Sequence, residues 1–123
     1  MVTSSPSSGR GESRMPKESL GEFEALVLLA ALRLGHEAYG LLIAEEIKAI
    51  AGRATARASV YVTLRRLEKK GLITTRHEKP EDAPNGKPRR FVQVEPEAVV
   101  LVGESRRALQ RMWSGIEDVL GDA

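Results

Sequence analysis

The apolar positions of the chain fall into blocks of different period, and each block predicts an element. Between Leu20 and Leu34, Phe23, Leu26, Val27, Ala30 and Leu34 recur at helical spacing, while Leu28, Leu29 and Leu32 widen the apolar surface nearly all round. A helix apolar on so much of its circumference needs cover on more than one side, and in a chain of 123 residues a second subunit is the natural second cover. Gly35 supplies a stop. A second helix is predicted over residues 38–51, with Leu42, Ile43, Ile47 and Ile50 inward and Gly52 ending it. A third is predicted over 57–70, with Val60, Leu64 and Leu67 inward and Arg57, Arg65, Arg66, Lys69 and Lys70 outward, ending at Gly71.

After Gly71 the period changes. Leu72-Ile73-Thr74-Thr75-Arg76-His77 is rich in β-branched residues and reads as a strand. Residues 80–88 hold three prolines and an Asn85-Gly86 pair, which is turn chemistry. Phe91-Val92-Gln93-Val94 forms a second strand and completes a hairpin with a long tip. A last helix is predicted over 97–120, because Val99, Val102, Arg106, Leu109, Trp113, Ile116 and Leu120 are spaced 3-4-3-4-3-4. That is a heptad seam with one polar interruption, Arg106, which could pair with Glu104 or with a partner's acid. No core remains within this chain to absorb so long a seam, so it is expected to meet a second subunit.

The predicted fold is mainly α with a small β-hairpin: a winged helix-turn-helix plus a C-terminal dimerisation helix. Residues 1–16, rich in Ser and Gly, are expected to be a disordered tail, with Met15 an alternative start. Residues 17–95 are the expected winged-helix domain and 96–121 the dimerisation helix.

Charge sharpens this picture. The net charge is only +2, but residues 1–52 carry 5 Lys/Arg against 7 Asp/Glu, residues 53–90 carry 11 against 4, and residues 91–123 carry 3 against 6. The middle segment, at +7, is the candidate surface for a polyanion. The third helix would lie in the major groove of double-stranded DNA, and the hairpin, with Lys87, Arg89 and Arg90, would reach neighbouring phosphates or the minor groove. Arginine suits both tasks, because its planar fork binds phosphate or guanine bidentately.

Other chemistries find little purchase. With no cysteine there is no disulfide, thiolate-bound zinc or thiol nucleophile. His36 and His77 stand alone in different segments and do not form a metal site. There is no phosphate-cradling glycine loop, no HExxH and no nucleophile–base arrangement, so no enzyme activity and no cofactor are expected. No stretch approaches the roughly 20 apolar residues of a membrane span. The N-terminus lacks the basic-then-apolar order of a signal peptide, and a cytoplasmic, nucleoid-associated protein is expected.

At the third helix the residues become those of a known family. Ala58-Ser59-Val60-Tyr61-Val62-Thr63-Leu64-Arg65-Arg66-Leu67-Glu68-Lys69-Lys70-Gly71-Leu72-Ile73 resembles the signature of the PadR family of bacterial transcriptional regulators: a small residue, Ser or Thr, an aliphatic residue and Tyr, then Leu-x-Arg-Leu-Glu-x-x-Gly-Leu-Ile. Asn85-Gly86-Lys87-Pro88-Arg89-Arg90-Phe91 is similar to its wing motif, and Ala38-Tyr39-Gly40 fits the start of its second helix. The likeness spans residues 20–120, and the single C-terminal helix resembles the smaller branch of the family. It implies a homodimer joined through the first and last helices, with Leu20, Phe23, Val27, Val102, Leu109, Trp113, Ile116 and Leu120 at the interface. It also implies repression of nearby genes, relieved in some members by a small aromatic ligand. By position, Tyr39, Ser59 and Tyr61 would contact the DNA backbone, and Arg57 and Val62 would lie near base edges. Arg65 and Lys69 would face DNA from the same helix, and Lys87, Arg89 and Arg90 would serve the wing.

The chain departs from the family pattern in three places. Ala56 stands where a Ser or Thr usually caps the recognition helix, leaving Thr55 to cap it or the helix to start less firmly. Val62 replaces the usual Pro, and Glu95-Pro96-Glu97-Ala98 replaces the usual Thr-x-x-Gly. Two residues keep two readings. Tyr61 is core at helical spacing or a helix-shoulder contact, and the inward Val60 beside it favours the shoulder. Trp113 is interface packing, as its heptad position predicts, or an effector contact. The rival for the whole chain is a winged helix that binds protein rather than DNA, which a charge-poor third helix would favour.

Overall fold

The computed structural model describes residues 20–121, so the expected N-terminal tail lies outside the described residues. Helix α1 spans Glu22–Leu34, α2 Gly40–Ala51 and α3 Arg57–Lys69; a hairpin of β1 (Ile73–His77) and β2 (Arg90–Val94) follows, then α4 (Pro96–Trp113) and a single turn, α5 (Glu117–Leu120).

Local chemistry sets each boundary. The Glu24 carboxylate accepts the Gly21 N–H at 2.9 Å, satisfying a donor at the start of α1. Helix α3 ends in a Schellman turn. The Gly71 and Leu72 N–H groups donate to the carbonyls of Glu68 and Leu67, and Gly71 takes φ +77°, a conformation that favours glycine. The turn lays Leu72 against Leu67, both buried, and sends the chain straight into β1. At the wing tip Asn85 and Gly86 both have positive φ, as their pairing in the sequence implies.

The strands pair antiparallel in the register Ile73↔Val94 to His77↔Arg90. A single antiparallel bridge ties the segment before α2 to the hairpin: the Ala38 carbonyl accepts the Val92 N–H at 2.8 Å, and Tyr39 pairs with Phe91. One core unites the helices and the hairpin, with Val27, Leu28 and Ala31 from α1, Ile43 and Ile47 from α2, Val60, Leu64 and Leu67 from α3, and Ile73 and Val92 from the strands. Ala98 anchors the foot of α4 to it. Burying a side chain of this size contributes about 1.5–3 kcal/mol.

One ionic contact is buried with the core. Lys70 Nζ donates to Glu24 Oε2 at 2.9 Å, tying the end of α3 to the start of α1, with 20% and 8% of the two side chains exposed. Burial pushes the Glu24 carboxyl up, but the Lys70 hydrogen bond, the Gly21 N–H and the charges of Lys70 and Arg66 outweigh it, and the group lies below its ordinary range.

Four expectations are corrected. The last helix is not continuous to Leu120. Ser114 is extended, Gly115 has φ +93°, and the chain restarts as α5 with the Glu117 carboxylate accepting the Gly115 N–H at 3.0 Å. The Ser-Gly pair ends the helix where the heptad pattern ran through it. Val27, expected at a subunit interface, is 1% exposed in the single chain and presents no surface to a partner. Ile50, expected inward, lies in the last turn of α2 and is 58% exposed, while Leu42 is only half-buried. Thr55 does not cap α3: its hydroxyl donates to the Arg53 carbonyl at 3.2 Å, and Ala56 leaves the helix without a side-chain cap.

Candidate nucleic-acid interface

Helices α2 and α3 form the helix-turn-helix, and α3 turns one side to the core and the other to solvent. Val60, Thr63, Leu64 and Leu67 are buried; Arg57, Ala58, Ser59, Tyr61, Val62, Arg65, Arg66 and Lys69 are exposed. Arg65, Arg66, Lys69 and the strand residue Arg90 line an open cleft of about 550 Å³ together with Glu68. Four cations around one acid make this a concave anion-attracting surface.

The wing is braced against the recognition helix. Arg90 Nη2 donates to Glu68 Oε1 at 2.6 Å and its Nε to Thr75 Oγ1 at 3.1 Å, while Thr75 Oγ1 donates to Glu68 Oε2 at 3.1 Å. The network joins β2, β1 and α3, and 47% of the Arg90 side chain stays exposed on the cleft. Arg89 is more deeply committed. Its Nε and backbone N–H donate to Glu78 Oε1 at 2.9 and 3.1 Å, and its Nη2 to Glu78 Oε2. Its guanidinium lies over the rings of Tyr39 and Phe91, which meet edge to face at 5.7 Å between centroids. Arg76 covers Phe91 as well, at 4.6 Å.

Arg89 therefore clamps the base of the wing, and its fork is occupied within the chain. Its Nε and Nη2 are therefore not free for the wing contact expected of Arg89, while Lys87 is exposed on the tip. Hydrogen bonding from Arg89, with its positive charge and that of Arg76, holds the Glu78 carboxyl below its usual range against the effect of burial, and Glu78 in turn raises Arg89. A depressed carboxylate contributes its stabilisation above the unfolded pKa and loses it as pH falls through the folded value. The wing clamp is thus expected to hold at neutral pH and to release below the ordinary 4.5. Amide exchange of residues 79–88 across an acid titration checks this, with Glu78→Gln expected to show the loosened exchange already at pH 7.

These features can be set beside known proteins. The profile of the transcriptional regulator PadR-like family matches residues 28–95, more than half of the chain. The chain belongs to the PadR-like family. It is a PadR-family transcriptional regulator. Solved PadR folds agree. A PadR family transcription regulator from Clostridium difficile R20291 is 17% identical, covers 80% of this chain and 99% of its own, and has a TM-score of 0.65. A PadR family transcriptional regulator from Eggerthella lenta DSM 2243 is 24% identical, covers 83% and 88%, and has a TM-score of 0.62. A PadR-like transcription factor from Bacteroides fragilis is 21% identical, covers 87% and 95%, and has a TM-score of 0.63. At these identities the likeness is one of fold. No curated protein matches the chain.

Within this PadR-like fold, Tyr61 takes the shoulder position, 41% exposed. Its ring lies directly on Gly40, where an added Cβ would stand 2.3 Å from Tyr61 Cε1 and 2.7 Å from Cζ. The glycine of Ala38-Tyr39-Gly40 is therefore what lets α2 and the Tyr61 ring meet. Gly40→Ala is expected to cost about 1–3 kcal/mol in urea unfolding through overpacking. Adding Tyr61→Ala is expected to recover part of that loss, a coupling that independent sites do not show.

Sequence reading had not found the Glu78 clamp, the Glu68–Arg90–Thr75 brace or the Gly40–Tyr61 contact. The first two join acids and bases from separate elements, for which periodicity carries no signal. The third was visible only as a glycine opening a helix.

Proposed function

We propose that this PadR-family regulator binds double-stranded DNA as a homodimer and represses genes near its own. The observation that carries the reading is the exposed basic face of α3 converging with Arg90 of the wing on one cleft. Arg57, Arg65 and Lys69 would face the major groove, Tyr39, Ser59 and Tyr61 the DNA backbone, and Lys87 the flanking phosphates. Two recognition helices in a dimer would read a pseudo-palindrome with half-sites one turn, roughly 34 Å, apart.

Exposed apolar side chains support the dimer. Leu29 and Leu32 on α1, and Val99, Leu109, Trp113, Ile116 and Leu120 in the C-terminal region, are each at least 38% exposed in the single chain. Large apolar side chains exposed in such number mark a candidate interaction site. Leu20, Phe23 and Val102 are half-buried against the chain's own core and would add their remaining surface. Repression, and relief by a small aromatic ligand against Trp113, are what the family resemblance implies. An effector would act by favouring one of two dimer states that bind DNA differently. A cytoplasmic site follows from this role.

Selection from a random-sequence duplex pool, with sedimentation of the free protein, tests the reading. The expected outcome is a dimer and an enriched pseudo-palindrome. A folded protein that enriches no sequence overturns it in favour of a protein-binding winged helix.

A further inference from the structure

On the outermost line of α3, four residues spaced 4-3-4 face away from the core: Ala58, Val62, Arg65 and Lys69. The C-terminal pair is cationic. The N-terminal pair is apolar, and Val62 is 42% exposed in the single chain. Nothing in the fold accounts for Val62. It belongs to no core cluster, a β-branched residue is a weaker helix former than Lys or Glu, and its neighbours along the surface are Arg65 and Arg66. No cap side chain closes the start of α3, and the wing residue Arg90 reaches α3 a turn and a half beyond Val62, at Glu68.

We propose that Ala58 and Val62 form an apolar reader for the 5-methyl group of thymine and set the operator base under the N-terminal half of α3. The inference rests on the DNA-binding reading above and names what that surface recognises. A thymine methyl is the one apolar group that base pairs of unmodified DNA display in the major groove, and small aliphatic side chains are its partners. N-terminal residues of a recognition helix are those that meet base edges. Arg65 and Lys69, toward the C-terminal half of the same line, hold the helix on phosphate or guanine, and Arg57 flanks Ala58 at its start, so the methyl contact adds its discrimination at Val62 to theirs. Ala58 is short enough to let the helix approach, and Val62 presents two methyl groups to the base.

The test removes only the methyl group. In the site selected from the random pool, each thymine is replaced in turn by deoxyuridine, and binding is measured by fluorescence anisotropy. For the native protein one thymine per half-site is expected to matter, its replacement weakening binding about 3–5-fold, the value of burying one methyl-sized group. Val62→Ala, exposed and outside the core, is expected to keep the fold and to bind the thymine and deoxyuridine sites alike at that position, while Val62→Thr, which retains one methyl, keeps part of the preference. A selected site bound equally well with deoxyuridine at every position overturns the inference and leaves the DNA-binding reading standing. So does a Val62→Ala protein that still shows the full penalty. Failure to select any site overturns the DNA-binding reading and this inference with it.

Discussion

Arg65→Glu is expected to weaken binding to the selected operator by at least about 100-fold. Arg65 lies mid-helix on the outward line of α3, at the mouth of the basic cleft, and no hydrogen bond or salt bridge to a described residue holds it. A good arginine contact to guanine or phosphate is worth about 1–3 kcal/mol, and a carboxylate in its place adds repulsion from the phosphates. Because the side chain supports nothing else, the fold is expected to keep its stability within about 0.5 kcal/mol, as surface changes away from special features do. Arg89→Glu makes the contrast. It breaks the Glu78 clamp and the stacking on Tyr39 and Phe91, so its loss of binding is expected to come with a loosened wing. Anisotropy titrations beside circular dichroism separate the two. Unchanged affinity in Arg65→Glu would remove α3 from the interface.

Lys70→Ala is expected to have the largest effect on stability, about 3 kcal/mol at pH 7 in urea unfolding. It leaves the buried Glu24 carboxylate with the Gly21 N–H as its remaining polar partner, and an uncompensated buried charge is costly. The pH dependence gives a sharper signature. In the native protein Glu24 lies below its ordinary value of 4.5, so its stabilising contribution is complete above 4.5 and declines as pH falls through the folded value. In Lys70→Ala burial is the dominant influence and favours the protonated acid, so acidification relieves the penalty. The gap between the two proteins is therefore expected to narrow as pH falls below neutrality. A gap constant from pH 7 to pH 4 would contradict the assignment of the cost to Glu24.

Much of the fold was legible because period and punctuation agreed. The Val60-Leu64-Leu67 spacing with Gly71 gave α3 to within a residue, and the switch to β-branched residues at Ile73 marked the hairpin. Period alone does not say whose core an apolar residue enters. Val27 sits at helical spacing from Phe23, an expected interface residue like it, yet it packs within its own chain. The same ambiguity misplaced Ile50, which helical spacing aligned with Ile43 and Ile47 although the helix ends beside it. At Ser114-Gly115 the heptad pattern and the local breaker disagreed, and the breaker prevailed. The basic surface was legible as composition, but the division of labour within it was not. Arg89 and Arg90 look equivalent in sequence, and only the position of Glu78, 11 residues away across the hairpin, makes one a clamp.

DNA binding through a basic surface is tested most directly by the salt dependence of operator affinity. Each phosphate neutralised contributes a slope of about −0.9 in log K against log salt. Arg57, Arg65, Lys69, Lys87 and Arg90 from each of two protomers predict a steep decline, with at least about a 1,000-fold loss between 50 and 200 mM salt. Affinity that stays flat across that range would contradict the account, whatever sequence the protein selects.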